Sequence, residues 1–398
     1  MREKLFWGFS PNVIVLSLVS FLNDIGGETI KRALPLYLAN VLGVKAGVIG
    51  LVEGVAEATP QLLQPLSGYL SDMMQKRKPL VVVGQILRSS MIFLYWAASW
   101  PQILLLRFLD RSGKGIANAP RDALISASIS RDHVGRAFGL SRALDNAGAV
   151  VGMIVAAFIV FMGERQALFL QRAVFNQIVL LAVIPLLLAL SLIILLVRDV
   201  PFAAPSRTPL RWGNTLGPKF YLGTKFRLFL LFSFLFALGN SSDAFLVLKA
   251  QLVGLPLWQI FLLLSAYSLV SSLSGLPFAS LSDKLGRKKL LVWGWFLYAG
   301  VYFLFGKSSD PGIVAMVFLL YGLYYGLTEG AAKALVADTV AAERRGTAYG
   351  FYNLVVGATL LPASLIAGFL WQTFTPAGAF YFGSFMAFIS AIGLLMFL

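Results

Sequence analysis

Twelve times along its 398 residues this sequence gathers about 20 predominantly apolar residues, the length a helix needs to cross the hydrocarbon core of a bilayer. The runs fall near 11–39, 47–73, 79–99, 101–127, 136–162, 170–197, 227–250, 256–281, 289–306, 312–338, 346–371 and 376–398. Such a chain cannot fold around one aqueous core. Its 58% apolar and 13% charged residues stand well away from soluble domains, in which about a quarter of residues are charged. In lipid every backbone polar group must be satisfied within the spanning segment, so the runs are expected to be helices. Arg2 and Lys4 precede the first run like the basic start of a signal peptide. That run carries Asp24 and Glu28 and lacks a small-residue cleavage site, so it is read as a retained helix.

The 33 Lys and Arg against 18 Asp and Glu give a net charge of +15. In a soluble protein that would suggest nucleic acid; here the bases report topology. Alternate turns hold nineteen bases on one side and four on the other, so the positive-inside rule places both termini in the cytoplasm of an inner (cytoplasmic) membrane. No nucleic-acid partner is expected. Trp96, Trp100, Trp258 and Trp371 fall near the outer ends of the runs, as an aromatic belt would place them. The chain has no cysteine, which excludes disulfides, thiolate metal sites and cysteine nucleophiles. Its one histidine, His133, lies in a polar turn and reads as a solvated loop residue. No metal or cofactor is expected, and no nucleophile elbow or phosphate loop points to an enzyme.

A polar stretch over 198–226, with Pro201, Pro205, Pro209 and Pro218, divides the chain into two halves of six runs, 1–197 and 227–398. A constant offset of 211 aligns Gly43 with Gly254, Asp72 with Asp283, Lys78 with Lys289, Gly115 with Gly326, Asp132 with Glu343, Gly135 with Gly346 and Gly139 with Gly350. Seven matches at one offset argue for an internal duplication of six helices, the parallel repeat of one transporter class.

Two turns carry a recurring motif. Between runs 2 and 3 the chain reads Gly68-Tyr-Leu-Ser-Asp72-Met-Met-Gln75-Lys76-Arg77-Lys78; between runs 8 and 9 it reads Ala279-Ser-Leu-Ser-Asp283-Lys-Leu-Gly286-Arg287-Lys288-Lys289. These resemble the two copies of the GxxxDxxGRK signature of the major facilitator superfamily, with Gln75 and Ala279 in place of the expected glycines. The resemblance extends over the whole chain. It implies an all-α membrane fold with twelve helices in two pseudo-symmetric bundles around a central cavity. It also implies a gating latch formed by Asp72, Arg77, Asp283 and Arg287. Run 4 opens Arg107-Phe-Leu-Asp110-Arg111-Ser-Gly113-Lys114-Gly115, similar to the family's RxxQG pattern. Gly139, Gly148 and Gly152 in run 5 are similar to the helix 5 signature of facilitator antiporters, although glycines so spaced also permit close packing.

Charges inside a membrane are costly and mark paths or partners. Runs 1, 4, 7 and 10 hold fifteen of the twenty ionisable residues within spans; runs 3, 6, 9 and 12 hold only Arg88. In the resembled fold the former set lines the cavity and the latter faces lipid. The predicted cavity residues are Arg107, Asp110, Arg111, Lys114, Asn240, Asp243, Glu329 and Lys333. A carboxylate in a dry interior takes up a proton more readily than in water, and a nearby base reverses this. Asp24 and Glu28 are therefore the expected proton carriers, alternating their pairing with Arg111 or Lys114. Gly26 and Gly27 between them mark either a discontinuity in the helix or close packing. Glu53 and Glu57 with Gln61 and Gln64 form a second stripe, and Arg142 and Asp145 a candidate structural pair.

The residues and the resemblance together point to a monomeric secondary transporter that exports a small organic solute in exchange for protons. The alternative is a proton-coupled importer of an anionic metabolite or metal chelate such as a carboxylate siderophore, favoured by the bases of run 4.

Overall fold

The structure is a computed structural model that describes residues 9–74, 76–130, 133–163, 165–200, 223–340 and 344–398. Twelve helical spans run through it. They are α1 (Pro11–Asn40), α2 (Ala46–Met74), α3 (Lys78–Ser89, continued by a 3₁₀ turn, Ser90–Tyr95), α4 (Trp100–Ala127), α5 (Val134–Gly163), α6 (Arg172–Leu196), α7 in two pieces (Thr224–Gly239 and Ala244–Leu252), α8 (Leu257–Leu285), α9 (Arg287–Lys307), α10 (Pro311–Thr339), α11 (Arg345–Thr373) and α12 (Pro376–Phe397). Among the described residues nine are apolar and long enough to cross a membrane by composition alone. The other three have identifiable reasons. The regular part of α3 is 12 residues long, α4 carries six ionisable residues, and Glu53, Glu57, Gln61 and Gln64 make α2 polar. Residues 201–222, most of the stretch between the halves, lie outside the described residues.

Local chemistry sets the helix ends. Ser10 accepts the Val13 amide ahead of Pro11, and Asp310 accepts the Ile313 amide at 2.8 Å ahead of Pro311, each capping a helix that begins on proline. Gly43 and Gly254 end the first and seventh spans with φ of 61° and 87°, a conformation that favours glycine, so two residues 211 apart make the same turn.

The packing repeats in the same way. In the first half α1 lies on α5 and α6, α2 on α4, and α3 on α4 and α6; in the second, α7 lies on α11 and α12, α8 on α10, and α9 on α10 and α12. Gly115 of α4 meets Leu63 of α2, and Gly326 of α10 meets Ser274 of α8, again residues 211 apart on both sides of the contact. The two bundles meet along α2 against α11 and α5 against α8.

Helix α1 is continuous through Gly26 and Gly27. Gly26 instead lets the Ala182 carbonyl and Leu186 of α6 come close, so packing accounts for it. The discontinuity lies in α7, at Asn240-Ser-Ser-Asp243. Short polar side chains there compete for backbone groups: the Ser242 hydroxyl accepts the Ala244 amide at 3.3 Å, and Tyr298 donates to the freed Gly239 carbonyl at 3.1 Å.

Candidate functional site

A cavity of about 610 Å³ lies between the bundles. Its lining runs from the middle of each helix towards one end of the molecule: Ser20 to Arg32 on α1, Lys114 to Arg121 on α4 and Tyr324 to Lys333 on α10. That end carries the α2–α3 and α8–α9 turns with their bases and is called the basic face here. The opposite halves of the same helices are packed shut, with Leu34, Leu38, Ile103, Phe245, Val247 and Phe318 buried.

Polar contacts between bundles seal the far face. Arg32 of α1 donates to Asp243 of α7 at 2.6 Å and to the Tyr267 hydroxyl at 3.0 Å, while Tyr321 donates to the other Asp243 oxygen at 2.8 Å. The α5–α6 turn is held against α7 and α8. The Leu257 amide donates to the Ala167 carbonyl at 2.9 Å, Gln251 to that of Leu168 at 2.6 Å and the Trp258 indole to that of Arg165 at 3.0 Å. Trp258, predicted as part of an interfacial belt, thus serves closure.

Of the predicted cavity residues, Lys114, Asn240, Glu329 and Lys333 line the cavity. Arg107, Asp110, Arg111 and Asp243 do not; they stand behind its wall. Arg107 is 0% and Glu53 1% exposed, and they pair at 2.8 Å. Asp110 is shared by Arg111 at 3.1 Å and by Arg88 and Arg107 at 3.7 Å. The stripe on α4 is one helical face as its spacing predicts, but α2 and α3 cover its far half, and α2 supplies the counter-charge Glu53. Arg88, the one ionisable residue of the helices expected to face lipid, points inward and reaches the Asn23 carbonyl and the cavity.

Asp24 and Glu28 both line the cavity. Glu28 sits 3.7 Å from Arg32. Among the described residues Asp24 has no ion pair within 4 Å; the charges that act on it are Lys114, Glu28, Asp145 and Arg88. Neither acid pairs with Arg111 or Lys114 at ion-pair distance. Glu57 is held by Lys31 at 2.7 Å. Arg142 does not pair with Asp145; it crosses to Glu329 of α10 at 2.7 Å, where Lys333 also sits at 3.3 Å. Gly148 and Gly152 bring α5 against the Phe21 and Ile25 carbonyls of α1, whereas a methyl at Gly139 would meet nothing.

At the basic face Asp72 is exposed, and the Asp283 side chain lies outside the described residues. Arg77 donates to the Ala123 carbonyl at 3.0 Å, and Arg287 to that of Ala334 at 3.4 Å, acceptors again 211 apart. Arg287 also pairs with Asp338. The backbone amides of Arg77 and Lys78 both donate to Asp199 at the end of α6. Sequence reasoning missed Asp199. It missed, too, the aromatic wall formed by Phe236, Tyr267, Trp295, Tyr324, Tyr325 and Tyr352. The run Tyr321-Gly-Leu-Tyr-Tyr325, with tyrosines three and four apart, was the available signal.

Two six-helix bundles with repeated packing around a half-open cavity invite comparison with known proteins. The sequence profile described as Major Facilitator Superfamily matches residues 16–265 and 228–398. The chain belongs to the major facilitator superfamily. It is 37% identical to the uncharacterized MFS-type transporter MJ1317 of Methanocaldococcus jannaschii, over 97% of this chain and 94% of that one. Multidrug resistance protein MdtH of Aeromonas hydrophila is 32% identical over 145 residues, 36% of each chain. In three dimensions the protein is similar to a variant of the nucleoside transporter NupG, with a TM-score of 0.82 at 13% identity over 97% of this chain and 100% of that one. As a major facilitator, the chain is a multi-pass membrane transporter and not an enzyme.

Proposed function

We propose that the protein is a monomeric, proton-coupled exporter of a small organic solute in the inner (cytoplasmic) membrane, with both termini in the cytoplasm. The observation that carries this reading is Asp24: a carboxylate without an ion pair, at mid-membrane on α1, lining a cavity closed on the far face. With the basic face in the cytoplasm, the cavity opens inward, where an exporter collects its solute. A carboxylate there can hold either a proton or a positively charged group, which is the elementary requirement of exchange. The two bundles, 1–197 and 227–398, rock about the α2–α11 and α5–α8 seams while residues 198–226 join them. Glu28 acts beside Asp24, with Lys114 as a base that acts on both. Asn240, Glu329 and Lys333 contact the solute; Arg107, Asp110, Arg111 and Asp243 brace the wall behind it. The Asp72, Arg77, Asp283 and Arg287 turns latch the basic face in the opposite state. The stretch shared with MdtH, named for multidrug resistance, supports the outward direction.

The importer of an anion is the weaker reading. Of the α4 bases that would clamp a carboxylate, Arg107, Arg111 and Arg121 have acidic partners, and only Lys114 faces the cavity without one.

The test is uptake into everted membrane vesicles under an imposed proton gradient. An exporter exchanging with protons accumulates its solute when the vesicle lumen is acid. Accumulation only with an acid exterior would replace this reading with proton-coupled import.

A further inference from the structure

The two walls of the cavity differ in chemistry. The lining contributed by α1 to α5 contains no aromatic residue; it consists of charged and amide side chains with Ser20 and Ala149. The lining from α7 to α11 contains six rings, and its only charges, Glu329 and Lys333, sit at the exposed rim. Five of these rings form one surface. Trp295 stacks on Phe236 at 4.8 Å, Phe236 meets Tyr324 at 5.9 Å, Tyr324 meets Tyr325 at 5.0 Å, and Tyr325 meets Tyr267 at 6.1 Å. The far end of this surface already holds a cation, since the Arg32 guanidinium lies 5.5 Å from the Tyr267 ring centre.

Most charges of the charged wall already have a partner. Arg32 is paired with Asp243, Arg88 with Asp110, Arg121 with Asp122 and Arg142 with Glu329. What remains among the lining residues without an ion pair is Asp24, Asp145 and Lys114, two carboxylates against one ammonium. One Asp145 oxygen is buried with no hydrogen-bond partner. A buried carboxylate without a counter-charge is costly, and a ligand that supplies the charge recovers that cost. The cavity volume lies within the range of about 300–1,000 Å³ typical of small-molecule sites.

We infer that the cavity takes an organic cation bearing a flat aromatic ring, its positive group between Asp24 of α1 and Asp145 of α5 and its ring on the Phe236–Trp295–Tyr324–Tyr325 surface. That this ligand is carried across the membrane rests on the function proposed above; that it binds does not. A neutral ring solute would leave the carboxylates unpaired, and a cation without a ring would leave the aromatic wall in water.

The experiment is calorimetric titration of the purified full-length protein with three probes: N-methylquinolinium, tetraethylammonium and naphthalene-2-sulfonate. N-methylquinolinium should bind at least about tenfold more tightly than either of the others, the worth of one charge-assisted contact or one stacked ring. Asp24→Asn and Asp145→Asn should each weaken it by about tenfold while Asp145→Glu retains it, and Trp295→Leu should narrow its advantage over tetraethylammonium. Tighter binding of the sulfonate, equal binding of all three, or no binding of any would overturn the inference, and these comparisons need no variant to fold. Uptake of N-methylquinolinium into proteoliposomes separates the two claims. Binding without uptake leaves the inference and removes the transport reading; transport of another solute without N-methylquinolinium binding does the reverse.

Discussion

Arg32 and Asp243 are 211 residues apart, the offset that aligns the two halves of the chain, and their side chains meet at 2.6 Å. Two positions equivalent by the internal repeat therefore touch each other across the boundary between bundles. Only positions on the symmetry axis can do this, so the pair marks where the axis crosses the closed far face. Equal charges there would repel at contact distance. The two copies carry opposite charges, and the pair is tied further by Tyr267 and Tyr321.

Breaking a buried ion pair costs about 3–5 kcal/mol because the remaining charge is stranded. Glu28 still faces Arg32 at 3.7 Å, so Asp243→Ala should cost the lower end of that range and move the population towards a state open at the far face by roughly a hundredfold. The chain has no cysteine of its own, so spin labels at Gln251→Cys and Leu168→Cys, which meet across the far face, report the change. The label distance should lengthen in Asp243→Ala and return in the exchanged pair Arg32→Asp with Asp243→Arg. An unchanged distance in Asp243→Ala would show that the pair does not hold the face shut.

The pairs Arg107–Glu53 and Arg142–Glu329 should differ in their effect on stability. The first is fully buried; the second is 61% and 44% exposed. Glu53→Gln should lower the thermal midpoint by several degrees, whereas Glu329→Gln, removing a solvent-screened pair worth about 0–1 kcal/mol, should leave it nearly unchanged. Equal shifts would mean that burial does not decide the matter here.

Glycines at superficially similar positions on α5 should respond in opposite directions. At Gly148 and Gly152 an added methyl would strike the α1 backbone; at Gly139 it would meet nothing within 4 Å. Gly148→Ala should reduce folded yield. Gly139→Ala should be neutral or stabilising by up to about 1 kcal/mol, the helix propensity gained. The repeat-related contacts Gly115–Leu63 and Gly326–Ser274 predict that Gly115→Val and Gly326→Val are both severe. Size-exclusion yield of monodisperse protein measures all four.

Asp24→Asn combined with Glu28→Gln should abolish proton-driven transport while solute exchange in the absence of a gradient persists at raised solute concentration, since amides preserve shape but cannot take up a proton and Asp24 also meets the solute's charge. Proteoliposome flux with and without a pH step reads both quantities. Proton-driven flux persisting in the double variant would move the coupling role elsewhere.

What could be read before the structure follows from one-dimensional physics. Apolar length locates spans, and all twelve expected runs correspond to helices α1 to α12, with end points agreeing within a few residues. Helical spacing identifies faces, so the α4 stripe and the crowding of charge on α1, α4, α7 and α10 were legible. The 211-residue repeat was legible as well, and the Gly43 and Gly254 turns and the Gly115 and Gly326 contacts repeat with it.

Spacing along one helix says nothing about which neighbour lies opposite. Only the tertiary structure decided that Arg107 is spent on Glu53, that Arg88 turns inward to Asp110, and that Arg142 crosses to Glu329 rather than Asp145. The break fell in α7 rather than at Gly26 and Gly27 because α6 packs onto Gly26 and Arg88 of α3 onto Gly27, while in α7 the Ser242 hydroxyl accepts the Ala244 amide. That the spans hold ten bases and ten acids was visible in the sequence by itself. Which carboxylates remain without a partner was not, because pairing depends on distances between helices.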